Sequence, residues 1–392
     1  MTEMVFGAEG APSAEREPIV PRWWRTVDRW TLSAVLVLFL LGLLLGLAAS
    51  PPLAARNGLD PFHYVTRQAV FGVVGLAAML IVSMWEPRAL RRWATIGFGL
   101  TFLAVLLLPV LGTDFGKGAT RWYSLGFASI QPSEFLKPVF VVFAAWLMTG
   151  SMARGGPPGK SLSFGLAVAV AASLALQPDF GQASLILAAW GLMYFVAGAP
   201  MLLLVSLAGA VVATGIFAYN NSEHFARRID GYLDPVVDPT TQIGYATAAI
   251  REGGFLGVGV GEGLVKWRLP DAHTDFIIAV AAEEYGLLLV LVIIGLFAFI
   301  TLRALFRLSR ERDAFIRLAG TGLAALFAMQ SVINMGVAVR LLPAKGMTLP
   351  FVSYGGSSLL ATGVSLGMLI AFTRTRPQDD LGDALGLGGR HG

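Results

Sequence analysis

The chain has 392 residues, of which 55% are hydrophobic and only 14% charged, with a mean hydropathy of +0.68. Soluble domains carry roughly a quarter charged residues, so the composition excludes an ordinary soluble protein and points to one polytopic integral domain with polar tails. The absence of cysteine excludes disulfides and thiolate metal sites. The net charge of +4 is too modest for a nucleic-acid partner and matters through where the basic residues lie.

Residues 1–30 are polar and rich in Arg, Trp and Pro, with no small-residue cleavage site after the first apolar run. They read as a cytoplasmic tail before an uncleaved first span. A crossing needs about 20 apolar residues, with roughly 17 tolerated. Ten runs qualify: 31–50, 66–84, 94–112, 134–150, 161–177, 182–198, 200–219, 276–302, 315–340 and 350–373. The expected fold class is therefore all-α: a polytopic membrane protein with about ten transmembrane helices over 31–373 and one long outer, periplasmic loop over 220–275. That loop holds "YATAAI", a short amphipathic helix candidate, and the glycine-rich "GGFLGVGVGEG". The tail over 374–392 is Gly- and Asp-rich and reads as disordered.

Lys and Arg of short loops set orientation. With the N-terminus inside, Arg16, Arg22, Arg25, Arg29, Arg88, Arg91, Arg92, Arg154, Lys160, Arg303, Arg307, Arg310, Arg312, Arg317, Arg374, Arg376 and Arg390 all fall on the inner side. Fewer basic residues fall outside, among them Arg56, Lys117, Arg121, Lys137, Arg340 and Lys345. Both termini are expected in the cytoplasm. Trp23, Trp24, Trp30, Trp85 and Trp93 read as interface anchors.

Five stretches could carry chemistry. In "RLPDAHTDFIIAVAAEEYG", Asp275 opens the eighth span beside His273. On position alone a helix N-cap is the favoured reading; a general base, for which aim matters first and pKa second, is compatible with it. Glu283 and Glu284 lie inside the span, where a carboxylate costs about 2.5–3.5 kcal/mol and usually faces the bundle interior. Glu283 falls about 12 Å beyond Asp275 and roughly 80° round the helix, so a cavity wall and a structural pair remain equal readings; for Glu284 the structural pair is favoured. The stretch "GKGATRWYSLGFASIQPSEFLKP" offers Arg121 and Lys137 as phosphate ligands, although Glu134 and Lys137 could simply pair one helical turn apart. In "QPDFGQ", Asp179 is expected to cap the sixth span. In "PAKGMTLPFVSYGGSS", Lys345 lies in an outer loop, and Gly355 and Gly356 read as close-packing residues. The glycines of 253–263 lack a preceding strand and are no dinucleotide fingerprint. Acids (Asp275, Asp179) and cations (Arg121, Lys137, Lys345) thus meet at the outer surface, as a phosphate-bearing lipid substrate would require.

These motifs, in this order, resemble the SEDS family (shape, elongation, division and sporulation), the FtsW and RodA proteins of bacteria, from about residue 30 to 373. The Lys-Gly pair before "MTLP" is closer to FtsW than to RodA, which usually has Thr-Gly there. Tyr123 departs from the aliphatic residue usual after "RW". The resemblance implies a peptidoglycan glycosyltransferase of the bacterial inner membrane that polymerises lipid II at the outer face during cell division. It also implies a class B penicillin-binding protein, a transpeptidase, as partner, with other division proteins. The family's catalytic aspartate falls on Asp275. Its cavity residues fall on Arg121, Trp122, Gln131, Ser133, Glu134 and Lys137, and Asp179, His273, Thr274, Glu283, Lys345 and Ser353 complete the substrate-binding candidates. No cofactor is fixed; a divalent cation, magnesium or manganese, would be a helper to the cations at the pyrophosphate. The alternatives are a lipid II flippase, in which Glu283 and Arg340 would line a path, an elongation-type polymerase of the RodA kind, and a scaffold that only recruits division proteins.

Overall fold

The computed structural model describes residues 18–114, 120–126, 128–152, 155–198, 201–221, 223–234, 238–343 and 346–375. Each of the ten apolar runs forms a helix: α2 (Arg29–Arg56), α3 (His63–Ser83), α4 (Pro87–Leu111), α5 (Pro132–Gly150), α6 (Gly159–Ala175), α7 (Phe180–Val196), α8 (Met201–Asn221), α11 (Ile277–Leu308), α12 (Ala314–Ala338) and α13 (Gly356–Phe372). Among the described residues six of these are long and apolar enough to cross a membrane, and α6, α7 and α13 are shorter apolar helices. The chain is a multi-pass membrane protein. Smaller elements were not foreseen: α1 (Ile19–Thr26) within the expected polar tail, a hairpin of β1 (Tyr123–Ser124) and β2 (Ser129–Ile130), and α9 (Glu223–Leu233). The amphipathic candidate in the long loop is α10 (Gln242–Gly253).

Two ends of the bundle are tied separately. At one end Asp28, ahead of α2, accepts from Arg303 Nε at 2.6 Å and Nη2 at 2.9 Å, with Arg307 at 3.5 Å. Arg307 also reaches Thr373 O, and Arg374 reaches Ser83 O. This basic face gathers the ends of α2, α3, α11 and α13. Of the described residues, the opposite, loop face carries 57–62, 112–114, 120–126, 128–131, 176–179, 223–234, 238–276, 339–343 and 346–355.

Close helix contact rests on small residues, as it must where lipid removes the usual hydrophobic drive. The spacing Gly363-x-x-x-Gly367 lays α13 along α3. A Cβ at Gly363 would come within 2.1 Å of Gly75 O, and one at Gly367 within 2.7 Å of Met79 O. Gly363→Val is therefore expected to lower the thermal midpoint of the detergent-solubilised protein, by the roughly 1–3 kcal/mol typical of overpacking. Gly99→Val, where a Cβ meets nothing within 4 Å, is the control and is expected to leave the midpoint in place.

Candidate active site on the loop face

Asp275 is half-buried at the loop face. Helix α11 starts at Ile277 with Phe276 in the cap position, so Asp275 lies one residue ahead of the cap. A tight turn on Asp271 O, which accepts from the N–H of Thr274, Asp275 and Phe276 at 3.1–3.2 Å, fixes its backbone. Its carboxylate faces the 346–349 segment: a Cβ at Gly346 would sit 3.3 Å from Asp275 Oδ2. Asn334 of α12 donates to both Asp275 O and Met347 O, joining the two.

His273 is buried beside two tyrosines, with ring centroids 5.3 Å from Tyr64 and 5.5 Å from Tyr354. Its carbonyl accepts from Tyr354 N at 2.9 Å. Burial raises the Tyr354 hydroxyl above its ordinary pKa, against the opposing charge of Arg67. Thr274 is half-buried, and its hydroxyl donates to Asp271 O.

A second polar group forms where α5, α7 and α12 meet. Lys137, buried, donates to Glu134 Oε2 and Gln330 Oε1, each at 3.0 Å. Gln182 donates to Glu134 Oε1 at 2.6 Å. Gln131 donates to Asp179 Oδ2 at 3.2 Å, and Asp179 Oδ1 accepts from Gln182 N at 3.4 Å, so Asp179 caps α7 as expected. Burial pushes the Asp179 carboxyl up, and Arg121 opposes the shift. Arg121 donates to Gln177 O at 3.0 Å and Pro178 O at 2.7 Å, which uses two of a guanidinium's five donors. Trp122 is half-buried, its carbonyl accepting from Thr113 N at 2.8 Å.

The two groups are one network. Gln330 Nε2 donates to Thr348 O at 3.0 Å, next to the Met347 carbonyl that Asn334 holds. Gln330 and Asn334, four residues apart on α12, thus clamp the 347–348 backbone between the Glu134–Lys137 pair and Asp275.

The sequence model of the family described as cell cycle proteins, FtsW, RodA and SpoVE, matches residues 29–378. The chain belongs to this FtsW/RodA family. A relative from Caulobacter vibrioides, named a probable peptidoglycan glycosyltransferase FtsW, is 43% identical over 356 residues, 91% of each chain. Another of that name from Trichlorobacter lovleyi is 35% identical over 351 residues, 88% of this chain and 92% of the relative. Within the family the chain lies closer to FtsW. A chain of a peptidoglycan synthase complex that coordinates polymerization and crosslinking superposes with a TM-score of 0.73 at 28% identity, covering 88% of this chain and 97% of that one. The rod shape determining protein RodA of Thermus thermophilus gives 0.65 at 27% identity, covering 89% and 97%.

In this FtsW/RodA chain the expected site residues do not all converge. Arg121, Gln131, Glu134, Lys137, Asp179, His273, Thr274 and Asp275 fall in the network or along its edge. Ser133 is buried in the first turn of α5, and its hydroxyl has no hydrogen-bond partner among the described residues. Two expectations need correction. Glu283, read equally as a cavity-wall acid and as a structural group and carried among the substrate-binding candidates, is fully buried and accepts from Val265 N at 2.7 Å and Lys266 N at 3.1 Å; it anchors a loop. Ser353 is buried and accepts from Leu349 N at 3.0 Å, closing the turn before α13. Lys345 and Lys117 lie outside the described residues. Glu284 is a structural pair as favoured, bound to Lys266. Sequence reading missed Gln182, Gln330, Asn334, Tyr64 and Lys266. Gln330 and Asn334 had a usable signal: two amides four apart in an apolar run share a helix face and face the bundle interior.

Proposed function

We propose that this protein is a peptidoglycan glycosyltransferase that polymerises lipid II into glycan strands during cell division. In this reading the basic face lies in the cytoplasm of the bacterial inner membrane with both termini. The loop face then opens to the outside, where lipid II presents its head group. Asp275 carries the proposal: a half-buried carboxylate on the loop face, held by α12 beside a network of fixed charge. The acceptor is the 4-hydroxyl of an incoming lipid II, and the donor is a strand on a lipid pyrophosphate. Asp275 takes the hydroxyl proton. The oxygen forms the new bond to the anomeric carbon as the bond to pyrophosphate breaks, inverting that centre. Pyrophosphate leaves as an anion and needs no acid, unlike the leaving groups of two-carboxylate hydrolases.

Arg121, with donors beyond the two its loop uses, would hold the pyrophosphate and stabilise its developing charge. Lys137 is too deeply buried and too fully engaged by Glu134 and Gln330 for that task; it shapes the site. Among the described residues no three His, Asp or Glu converge on a metal position. A divalent cation would meet Asp275 and otherwise substrate oxygens, the usual manner for magnesium.

The flippase reading needs charge along a path through the membrane. Glu283 is instead occupied by loop N–H groups. Arg340, past the end of α12, donates to the carbonyls of Tyr232 and Asp234. Polar side chains gather at the loop face, which favours surface chemistry. A class B penicillin-binding protein, with other division proteins, is the proposed partner. The test is purified protein incubated with lipid II, with and without that transpeptidase. Glycan polymer supports the enzyme; lipid II crossing a liposome bilayer without polymer would replace it with the flippase.

A further inference from the structure

The glycine-rich segment between α10 and α11 leaves large apolar side chains uncovered. Phe255, Leu256, Val260 and Leu264 are 62%, 76%, 69% and 75% exposed, with Val258 and Trp267 also exposed. Its backbone is nonetheless fixed. Gly286 (φ 75°, ψ −175°) breaks α11, and the freed groups pair with the loop. Leu287 N donates to Gly254 O at 3.0 Å, Leu288 N to Phe255 O at 3.4 Å, Val258 N to Glu283 O at 2.9 Å and Gly259 N to Glu284 O at 3.2 Å. A Cβ at Gly257 (φ +83°) would lie 2.2 Å from Glu284 O, so only glycine lets the loop lie this close.

What covers the patch follows from its neighbours. Beyond the break, Leu287, Leu288, Leu291 and Val292 are exposed on a helix apolar enough to cross the membrane. That stripe faces acyl chains. Phe255 is bonded directly to Leu288, so the loop continues the stripe. Exposed Arg251, Glu252 and Arg268 flank it, and exposed Glu262 within it keeps its charge at head-group level, which limits the depth. Irregular backbone is tolerated near hydrocarbon only where its polar groups are satisfied, and here the broken helix satisfies four of them.

We propose that residues 255–267 form a re-entrant membrane anchor whose apolar side chains occupy the acyl boundary of the loop-face leaflet. Depth would be about 5–10 Å, as for interfacial segments. The anchor is joined through Val265 and Lys266 to Glu283 and Glu284 of α11. It thereby sets the height of the turn bearing Asp275 over the bilayer.

The native chain has no cysteine, so single nitroxide labels can be placed at Leu256→Cys and Val260→Cys in lipid nanodiscs. Collision with oxygen and with a water-soluble nickel chelate reads the surroundings. Leu291→Cys is the lipid reference and exposed Thr240→Cys the aqueous one. Both loop labels are expected to match Leu291→Cys: high oxygen collision, and nickel collision several-fold below that at Thr240→Cys. Nickel collision equal to Thr240→Cys at either site would place the loop in water and overturn the proposal. Shielding from both reagents, the sign of a covering protein segment, would overturn it too.

Discussion

Asp275→Asn is expected to fold as the wild type does and to make no detectable glycan polymer from lipid II. The substitution keeps the shape but replaces a basic carboxylate oxygen with an amide NH2, which donates and cannot take up a proton. General-base catalysis contributes typically 10²–10⁴-fold, so the rate should fall by about that factor. The geometry keeps this experiment clean. Asn caps a helix about as well as Asp, so even a capping role would survive the change. Phe276 holds the cap position, and Asn334 holds the Asp275 carbonyl, which the substitution leaves intact. The thermal midpoint should stay at the wild-type value while polymer, read as a ladder on a gel, disappears. Equal polymer from both proteins would remove Asp275 from the chemistry. It would then leave the scaffold reading, in which Asp275 is dispensable, as the stronger one.

The network explains how one carboxylate is aimed. The 346–349 segment faces Asp275 on one side and α12 on the other. Asn334 grips it at Met347 and Gln330 at Thr348. Gln330 in turn accepts from Lys137, whose charge is balanced by Glu134. Thr348 and Ser358 share a 2.6 Å hydrogen bond that ties the same segment to α13. Three helices, α5, α12 and α13, thereby share control of one loop. Preorganised groups of this sort need no rearrangement as charge develops, which is where electrostatic catalysis gains most.

The spans were legible because hydrocarbon imposes length and apolarity on every crossing, and ten runs in the sequence became ten helices. Asp275, Arg121 and Lys137 were legible as charges at span ends. What escaped was pairing. In one dimension Glu283 reads equally as a cavity acid and as a structural group, and Glu284 as half of a pair with no partner named. Their partners, Val265, Lys266 and the glycine loop, come from a chain reversal that periodicity does not reveal. Gly286 lay in plain view, yet a lone glycine in an apolar run reads as tolerated helix, and only the returning loop shows why α11 breaks there. Gln330 and Asn334 needed the position of the 347–348 backbone before their amides had a purpose. Ser353 was misread for the opposite reason: a hydroxyl in a motif suggests substrate, whereas this one satisfies a turn.

Glu284→Ala is expected to destabilise the protein more than Gly363→Val does. Lys266 and Glu284 are both buried, their side chains 5% and 0% exposed. The second Glu284 oxygen has no hydrogen-bond partner among the described residues. Removing one member strands a charge in a low-dielectric interior, at a cost of about 3–5 kcal/mol. Replacing both by apolar residues of similar size is often neutral or stabilising. Glu284→Ala and Lys266→Met should each lower the thermal midpoint sharply, as followed by intrinsic tryptophan fluorescence. The double variant Lys266→Met, Glu284→Leu should recover most of the loss. Its polymerase activity separates two roles for the pair. Recovered stability with recovered activity means that the pair only holds the loop against α11. Recovered stability with depressed activity means that the loop position set by this ion pair reaches Asp275, nine residues away along the chain. A single Glu284→Ala change that left the midpoint untouched would show that the pair is not buried as described.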